Sequence, residues 1–594
     1  MAPQSLAAPA ANARREASAW QGGGRPRYPE ASVEHASADL VLNAWLGRMT
    51  AWISPAALAG AWQDWASHLL LSPDKQAELL LQGFSGLQCW LQYSTGAMVG
   101  DSTSPVQPLA QDKRFSDPAW RAWPYNQISQ SFLLTQQWWH RATSSVRGVS
   151  PHHTDVVTFV ARQLLDCVAP SNFVATNPVV QQATAASGGW NLIHGAVRAA
   201  ADARRALVGG TPPAGPRPGR ELALTPGKVV MRNRLIELLR YDPATPSVHA
   251  LPLLVVPAWI MKYYILDLSP HNSLVRYLVE LGHTVYMISW KNPGPEDRDL
   301  SMEDYRRLGV MEALDTIIQQ TGAPKVNACG YCLGGTLLAI AAAAMARDGD
   351  ERLASMTLLA AQVDFTEPGE LSLFIDDSEV AFLEAAMWQQ GYLDTRQMAG
   401  AFQLLRSNDL IWSRRLRHYF LDLPDQNSDL AAWNADATRM PYRMHSQYLR
   451  QLFLKNRLAS ARYIVDGRPV SLTDIHIPIF AVGTLTDHVA PWHSVYKIVP
   501  LSDTEVTFLL TTGGHNAGVV SPPGTPGRSY QMAAHAQDAP YVDPDRWQAL
   551  NEYQDGSWWP AWESWLARRA GPMTSAPPPV LSLGAAPGSY VLAP

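Results

Sequence analysis

Apolar residues recur at helical spacing in the first third of the chain, from about residue 36 to residue 172. Two sets would each fall on one face of a helix: Leu40, Leu42, Trp45, Leu46 and Met49, and then Leu79, Leu80, Phe84 and Leu87. Ser54-Pro55 and Ser72-Pro73 are typical helix starts, with serine as the cap and proline in the first helical position. The pattern predicts a helical N-terminal domain over residues 36–208.

The pattern changes after residue 220, where short apolar runs alternate with stretches of helical periodicity. The predicted strands are 253–256, 284–288, 326–329, 356–360, 479–482 and 506–510. The predicted helices between them include 273–281, 302–321 and 335–347. Buried strands separated by helices predict an α/β fold with a mainly parallel sheet that is covered on both faces.

The alternation of strands and helices stops for a long stretch, which predicts an insert at about 366–475. An insert of this size in an α/β sheet usually forms a cap over the site, so we expect a cap here. Three segments rich in Pro, Gly or Ala are expected to be a disordered lead, a linker and a C-terminal tail, namely 1–35, 209–220 and 571–594. The catalytic domain would then span 221–570.

Composition and charge narrow the class of protein. The 594 residues carry 47 basic and 52 acidic side chains, a net charge of −5, without a basic stripe, which argues against nucleic-acid binding. No apolar run reaches the roughly 18 residues of a membrane span, and the first residues lack the apolar core of a signal peptide, so a cytoplasmic protein is expected. Four cysteines exclude a disulfide scaffold, and their spacing excludes a four-cysteine zinc site. We predict neither a metal site nor a cofactor.

The strongest local signal is Gly330-Tyr331-Cys332-Leu333-Gly334-Gly335, which follows one predicted strand and opens a predicted helix. It has the G-x-S-x-G pattern of a nucleophile elbow with Cys in place of Ser. Such a turn exposes the nucleophile, the flanking glycines Gly330 and Gly334 allow close packing, and the helix N-terminus offers N–H groups to an oxyanion. The backbone N–H of Leu333 is the expected first oxyanion donor.

Two other interpretations of Cys332 remain open at this point. It could be a buried structural thiol in a Gly-rich turn. It could also form a redox pair, because Cys329 and Cys332 have CxxC spacing. The redox pair is less favoured, since Cys329 falls inside the predicted strand, whereas redox pairs place their first Cys at a helix start.

An elbow nucleophile needs an acid and a base later in the chain. Asp487 and His515 each follow a late predicted strand, in Gly483-Thr484-Leu485-Thr486-Asp487-His488 and in Gly513-Gly514-His515-Asn516-Ala517-Gly518. The carboxyl ends of parallel strands share one sheet edge, so both loops would meet there. His488 competes as the base, but it is adjacent to Asp487 and is given a structural or supporting role.

These residue types predict acyl transfer. His515 would take the proton of Cys332, and Asp487 would hold and stabilise the imidazole. Thiols exchange readily with thioesters because nucleophile and leaving group are matched in basicity. A cysteine in this position therefore favours transfer from a thioester over hydrolysis.

The chain resembles the poly(3-hydroxyalkanoate) synthases of the long single-subunit type, which favour short-chain 3-hydroxyacyl-CoA. The resemblance runs from about residue 38 to 570, and is carried by the elbow, both late loops and several further segments: 54–80, FSDPAW at 115–120, TPGKVV at 225–230, the block 253–292, WNAD at 433–436, and PGSYV at 587–591. It implies an α/β-hydrolase core with a cap after the sixth strand region of that fold, and a homodimer on polyester granules.

The same resemblance implies the roles of the site residues. Cys332 carries the acyl chain, His515 is the general base, and Asp487 either orients His515 or helps to activate the substrate's 3-hydroxyl. The implied reaction polymerises (3R)-hydroxyacyl-CoA, such as 3-hydroxybutyryl-CoA, into polyhydroxyalkanoate with release of CoA. CoA is then part of the substrate and no cofactor is needed. The N-terminal domain could serve dimer formation, granule attachment or binding of a phasin.

Two residues depart from the family pattern. Met261 replaces the usual Asn after Trp259-Ile260, in the loop where the second oxyanion donor is expected, and Ala490 replaces the usual Val in the Asp487–Trp492 run. Our expectation for the second donor is a backbone N–H near Ile260, because Pro257 has none. Trp259 and Trp492 are expected beside the site.

Two other classes of function remain as alternatives. A thioesterase or polyester hydrolase on the same fold would release free hydroxy acid, and it would normally carry Ser at the elbow. A non-catalytic granule-associated protein would not need the set of Cys332, Asp487 and His515.

Overall fold

The computed structural model describes residues 38–50, 53–98, 104–109, 112–208, 215–395, 397, 411–424 and 428–593. The predicted disordered lead, residues 1–35, lies outside the described residues. Residues 209–214 of the predicted linker also lie outside them.

One large sheet organises the molecule. Over the described residues its eleven strands follow the order β15-β14-β13-β12-β7-β6-β4-β5-β2-β1-β17, and three further two-stranded sheets pair β3 with β16, β8 with β9 and β10 with β11. The strands are β1 Gly227–Arg232, β2 Ile236–Tyr241, β3 Ser247–His249, β4 Leu253–Val256, β5 Val285–Trp290, β6 Val326–Tyr331, β7 Leu353–Leu359, β8 Tyr392–Leu393, β9 Met440–Pro441, β10 Tyr463–Val465, β11 Arg468–Val470, β12 Ile479–Thr484, β13 Val506–Thr511, β14 Ser529–His535, β15 Gln554–Asp555, β16 Met573–Ser575 and β17 Gly584–Ala585.

The centre of the sheet is parallel and its flanks are antiparallel. Strands β5, β4, β6, β7, β12 and β13 run parallel, and they are the six strands that the apolar runs predict. Five of the six are buried along their whole length, and β7 is buried at all but one position, as a sheet covered on both faces requires. The antiparallel strands β2, β1 and β17 on one side, and β14 and β15 on the other, complete the predicted α/β fold.

Helices pack against this sheet and form the N-terminal region. They are α1 Ala38–Met49, α2 Pro55–Leu70, α3 Pro73–Met98, α4 Tyr125–Thr143, α5 Pro151–Cys167, α6 Pro178–Ala186, α7 Trp190–Val208, α8 Leu274–Glu280, α9 Met302–Asp304, α10 Glu312–Thr321, α11 Leu333–Arg347, α12 Asp377–Gln390, α13 Ser413–Arg415, α14 Asp429–Asn434, α15 Tyr442–Tyr448, α16 Trp492–Tyr496, α17 Ile498–Leu501, α18 Pro544–Leu550 and α19 Trp559–Ala567. Helices α8, α10, α11, α16 and α17 contact the parallel strands. A π-helical segment, Tyr305–Met311, joins α9 to α10, so the predicted helix over 302–321 is helical throughout.

The N-terminal helices begin where the sequence predicts. Ser54 caps α2, with its hydroxyl accepting a hydrogen bond from the Ala57 amide at 3.3 Å, and Pro73 opens α3. The four apolar residues predicted for one helical face all lie in α3. Leu79 is buried, whereas Leu80, Phe84 and Leu87 are exposed at 65%, 70% and 55%. This helix therefore presents an apolar surface to its surroundings.

The insert lies between β7 and β12 and contacts the N-terminal region. The Ser54 amide donates to both carboxylate oxygens of Glu379 in α12, at 3.0 and 2.9 Å. In α5, His152 Nε2 lies 3.3 Å from a carboxylate oxygen of Asp376, which precedes α12. The region that precedes the catalytic domain in sequence is thus joined to the insert by hydrogen bonds and ion pairs.

The predicted C-terminal tail, 571–594, is bonded to the sheet core over its described residues. β16 pairs with β3, and β17 pairs with β1 at the edge of the large sheet. Within the described part of the chain, none of the helices has the length and hydropathy of a membrane span.

Candidate active site

Cys332 occupies the turn between β6 and α11, as the elbow pattern predicts. Its backbone has φ 52° and ψ −124°, an unusual conformation for a residue with a side chain, and it is 8% exposed. The Cys332 amide donates to the Leu359 carbonyl at 2.9 Å. The strained turn is therefore held by the neighbouring strand β7.

The glycines around Cys332 are required by close backbone contacts. A Cβ atom on Gly330 would lie 2.3 Å from the Cα of Gly335, and a Cβ on Gly334 would lie 2.1 Å from the Val256 carbonyl oxygen. Neither backbone atom can move aside as a flexible side chain could. The glycines let α11 start directly against β6 and β4.

Asp487 and His515 meet at the carboxyl edge of the sheet, in the loops after β12 and β13. Asp487 Oδ2 lies 2.7 Å from His515 Nδ1. The Cys332 side chain lies close enough to His515 to raise the pKa of its imidazole. The structure thus brings together the three residues that the sequence assigns to catalysis, in the order nucleophile, base and acid.

The electrostatics of this group favour a charged His515. Burial lowers the pKa of His515, but the negative charge of Asp487, the hydrogen bond between the two side chains and the neighbouring Cys332 side chain raise it well above its ordinary value. Burial raises the pKa of the Asp487 carboxyl, but the charge of His515, its hydrogen bond and two backbone amides lower it overall. The arrangement supports an imidazolium at His515 beside the Asp487 carboxylate.

A second set of contacts lies beside His515. The ring of Tyr331 packs at 5.6 Å from the His515 ring, and its hydroxyl donates to Asn516 Oδ1 at 2.7 Å. Asn516 Nδ2 donates to Asn434 Oδ1 at 3.2 Å, in α14 of the insert. These residues lie within the segments that carry the family resemblance, although the sequence alone assigns them no role.

A small cavity of about 30 Å³ adjoins Cys332. Its lining is mostly apolar and comes from the elbow, the insert and the loop after β12: Ile260, Cys332, Leu333, Thr336, Ala360, Gln362, Leu371, Tyr448, Phe453, Val489 and Ala490. Tyr448 and Phe453 lie in or just after α15, where no sequence motif marks them. Ala490, which departs from the family pattern, is part of this lining.

The two residues predicted to supply oxyanion donors both line the cavity. Leu333 is the first residue of α11, where a backbone N–H has no acceptor within the helix. Ile260 belongs to the loop after β4, and its carbonyl accepts from the Thr438 amide at 3.0 Å. Met261 pairs with Ala437 in an isolated bridge, so this departure from the family pattern lies where the loop meets the insert.

The remaining predicted site residues lie around the cavity and do not line it. The His488 carbonyl accepts from the Glu370 amide at 2.9 Å, at the start of the insert. Trp492 is buried and packs against Phe508, with 6.4 Å between ring centroids. Trp259 is buried and packs edge-on against Tyr448 at 6.2 Å, directly behind the lining.

A group of possible metal ligands lies elsewhere in the fold. His249, His283 and Glu563 place their ligand atoms within 4.8 Å of one another, and His283 Nε2 lies 3.3 Å from Glu563 Oε1. Burial and the nearby His249 lower the pKa of His283 to about 3. His283 precedes β5, whereas Cys332 follows the parallel strand β6, so the two groups lie at opposite edges of the sheet.

Family models match three parts of the chain. Residues 34–75 match the model described as poly-beta-hydroxybutyrate polymerase N terminal, and residues 111–278 match that of the poly-beta-hydroxybutyrate polymerase N-terminus. Residues 252–522 match the model of the alpha/beta hydrolase fold. The third match covers the elbow and the loops of Asp487 and His515, which confirms the predicted core.

Curated relatives extend the similarity to most of the chain. It is 39% identical to the poly(3-hydroxyalkanoate) polymerase subunit PhaC of Rhizobium meliloti, over 89% of this chain and 86% of that protein. It is 40% identical to the poly(3-hydroxyalkanoate) polymerase of Methylorubrum extorquens, over 88% and 87%, and 35% identical to the subunit PhaC of Cupriavidus necator, over 86% and 87%. At 35–40% identity over more than four fifths of both chains, this similarity shows that the chain belongs to the poly(3-hydroxyalkanoate) polymerase family.

Proposed function

We propose that this chain polymerises (3R)-hydroxyacyl-CoA into a polyhydroxyalkanoate, with release of CoA, through a thioester on Cys332. The observation that carries the proposal is the hydrogen-bonded pair His515–Asp487 next to the elbow residue Cys332, beside a small apolar cavity. Membership of the polymerase family supports the overall reaction.

In the first half of the reaction, His515 accepts the proton of the Cys332 thiol. The thiolate attacks the thioester carbonyl carbon, and the new oxyanion lies near the N–H groups of Leu333 and of the Ile260 segment. The carbon–sulfur bond to CoA breaks, and the CoA thiolate takes the proton from His515. Cys332 then carries the hydroxyacyl group.

In the second half, the 3-hydroxyl of another unit attacks the acyl carbon on Cys332. His515 accepts the hydroxyl proton as the new ester bond forms, and returns it to the departing Cys332 thiolate. Both Asp487 oxygens already accept hydrogen bonds, one from His515 and Thr484 and the other from two backbone amides. This bonding supports a role for Asp487 in orienting His515.

We propose a short acyl group, such as 3-hydroxybutyryl, as the preferred substrate. The cavity at Cys332 holds about 30 Å³, and the bulky side chains of Tyr448, Phe453 and Leu371 bound it. A 3-hydroxybutyryl group already exceeds this volume, so any acyl group has to displace these side chains, and one that ends in a single methyl displaces them least. The apolar lining is also unfavourable for water, which would release the chain as free acid.

We extend the proposal to a cytoplasmic homodimer that works at the surface of its polyester product. Exposed apolar side chains on α2 and α3 support contact with an apolar partner: Leu70, Leu71, Leu80, Leu81, Phe84 and Leu87. Binding of a phasin at this surface is the alternative.

The test compares wild type, Cys332→Ala and Cys332→Ser with 3-hydroxybutyryl-CoA. We expect CoA release to fall by about 10³-fold or more in Cys332→Ala, because the nucleophile is lost, and to stay low in Cys332→Ser, because a hydroxyl forms its anion less readily. Cys167→Ser, which changes an exposed free cysteine, is the matched control and should retain activity. Intact-protein mass should show one hydroxybutyryl adduct on wild type.

Product analysis separates the proposal from its alternatives. Polymer with CoA release in wild type supports the polymerase, whereas free hydroxy acid without polymer would establish the hydrolase. Near-normal CoA release in Cys332→Ala would refute the role of the thiol. Faster turnover of 3-hydroxyoctanoyl-CoA than of 3-hydroxybutyryl-CoA would refute the short-chain preference.

A further inference from the structure

The last residues of the described chain return to the sheet and are anchored there by a buried carboxylate. Glu237 on β2 is fully buried, and its Oε2 accepts from the backbone amides of Ser589 and Tyr590 at 2.8 and 2.9 Å. The Ser589 hydroxyl donates to Oε1 at 2.7 Å. A Cβ on Gly588 would lie 2.3 Å from this carboxylate, so glycine is needed for the close approach. The anchor fixes the position of the chain end.

The anchored end supplies acceptors to a buried lysine. Lys262 is 3% exposed, and its Nζ donates to the carbonyls of Ala593 at 2.7 Å and Tyr590 at 3.4 Å. Burial lowers the pKa of Lys262, which the charge of Asp436 partly offsets. An ammonium group in such a place is costly unless its hydrogen bonds are made. The chain end provides both of the hydrogen bonds found for Nζ.

Lys262 belongs to the loop that follows β4, residues 257–262, which we call the β4 loop. This loop carries Ile260 into the lining of the Cys332 cavity. On its other side the insert holds it, because Trp433 Nε1 donates to the Lys262 carbonyl at 2.7 Å and the Thr438 amide donates to the Ile260 carbonyl at 3.0 Å. The β4 loop is thus clamped between the insert and the chain end.

We infer that residues 589–593 are a positioning element for catalysis, which holds the β4 loop against the Cys332 cavity through Lys262. Without these residues the Lys262 ammonium loses its carbonyl acceptors, and the loop has to shift for Nζ to reach water. Such a shift moves Ile260 relative to the acyl carbon on Cys332. The inference rests on the proposed function, since it takes acylation of Cys332 as the step that the β4 loop serves.

The test uses four chains: wild type, a chain that ends at Pro587, full-length Lys262→Met, and the two changes combined. Acylation of Cys332 by 3-hydroxybutyryl-CoA is followed by rapid-mixing CoA release and by intact-protein mass. For the truncated chain we expect kcat of the first CoA release to fall by about 10- to 100-fold, with KM changed less than about threefold, because a displacement of about 1 Å near the reacting atoms has this effect. A general loss of folding would instead lower the fraction of active protein.

The combined variant is the decisive measurement. If the chain end acts through Lys262, truncation in the Lys262→Met background should cause less than about a twofold further loss, because no buried ammonium remains to be satisfied. Leu581→Ala is the matched control: its side chain is 93% exposed, it lies outside residues 589–593, both carbonyl acceptors remain, and the wild-type rate is expected.

Three results would overturn the inference, and a fourth would point elsewhere. A truncated chain that acylates Cys332 at the wild-type rate, or losses that multiply fully in the combined variant, would show that the chain end does not act through Lys262. Full-length Lys262→Met keeps the Glu237 anchor but loses both Nζ hydrogen bonds, so a wild-type acylation rate in this variant would also count against the inference, even where the truncated chain fails to fold. Absence of any Cys332 adduct in wild type would instead overturn the proposed function.

Discussion

Asp487 accepts four hydrogen bonds within a buried loop. They come from the His515 ring, the Thr484 hydroxyl and the amides of Val489 and Ala490, all between 2.7 and 2.9 Å. These bonds therefore hold the carboxylate in one orientation, and its hydrogen bond to Nδ1 in turn holds the His515 ring. The backbone amides also keep it ionised, because they stabilise the charged form.

Replacing Asp487 with Asn should show how much of its effect on His515 comes from its negative charge and how much from its shape. Asp487→Asn is nearly isosteric but removes the negative charge that raises the pKa of His515. The imidazolium then loses its proton at lower pH, so the alkaline limb of the pH profile for CoA release should move to lower pH. We expect kcat to fall by about 10²- to 10⁴-fold, measured with 3-hydroxybutyryl-CoA from pH 6 to 10.

A second His–Asp pair serves as the control for this prediction. His493 Nε2 lies 2.8 Å from Asp545 Oδ1, and Asp545 is 81% exposed. Asp545→Asn should leave both the rate and the pH profile unchanged. An unmoved alkaline limb in Asp487→Asn would contradict the role assigned to this carboxylate.

The sequence predicts those site residues that belong to a motif. It does not predict those that lie at the site only because of how the chain folds. Cys332, Asp487 and His515 each stand at the end of a recognisable buried strand, so their meeting follows from the parallel sheet. Tyr448 and Phe453 line the same cavity, but they come from the insert, where no strand fixes their position. Their place depends on how the insert packs, which no local pattern encodes.

At the scale of elements, the elbow depends on the contact between α11 and the strands beneath it. Gly334→Ala would put a Cβ 2.1 Å from the Val256 carbonyl oxygen, which belongs to β4 at the centre of the sheet. The helix has to move away, so we expect a loss of about 1–3 kcal/mol in the free energy of unfolding and loss of CoA release. Urea denaturation and the activity assay measure the two effects.

Gly86→Ala is the matched control for the elbow. Gly86 lies within α3, and a Cβ there would meet no atom within 4 Å. Alanine should stabilise this helix by about 0.5–1 kcal/mol, because glycine loses more conformational freedom on folding. A Gly334→Ala chain as stable and active as wild type would show that the elbow tolerates the shift.

Some strands of the large sheet are predictable from the sequence and others are not. The six parallel strands are short apolar runs because both of their faces are buried. The antiparallel strands β1 and β14 have both buried and partly exposed side chains. Because polar residues interrupt them, they do not form the continuous apolar runs that predict a strand. The apolar face of α3 shows a related limit, since periodicity indicates that a helix has such a face and does not say what covers it.

At the scale of the whole molecule, Glu379 joins the N-terminal helices to the insert. It is 7% exposed, and burial raises the pKa of its carboxyl to about 7, although the Ser54 amide partly opposes this. A raised carboxyl pKa means that the folded state binds the proton more tightly than the unfolded state. Stability is therefore lost as the pH rises from about 5 to about 7.

Glu379→Gln should remove this pH dependence. Glutamine keeps an acceptor for the Ser54 amide without a charge to ionise, so the variant should gain stability over wild type above pH 7, by an amount on the order of 2 kcal/mol. Urea midpoints at pH 5, 6, 7 and 8 test this. Glu78→Gln, at a partly exposed carboxylate on α3, should leave the pH slope unchanged. Parallel slopes for wild type and Glu379→Gln would contradict the prediction.

The position of β17 also sets an order in time. β17 and the residues after it leave the ribosome later than the strand and the loop that they contact, because β17 covers the outer edge of β1 and Ala593 reaches Lys262 beside the β4 loop. Until these residues are synthesised, that edge has unpaired backbone groups and the lysine lacks these acceptors. We therefore expect the N-terminal helices and most of the sheet to fold early, and the β4 loop to reach its final position only after Ala593 has been synthesised. Polyester synthesis would then begin only on chains that extend past this point.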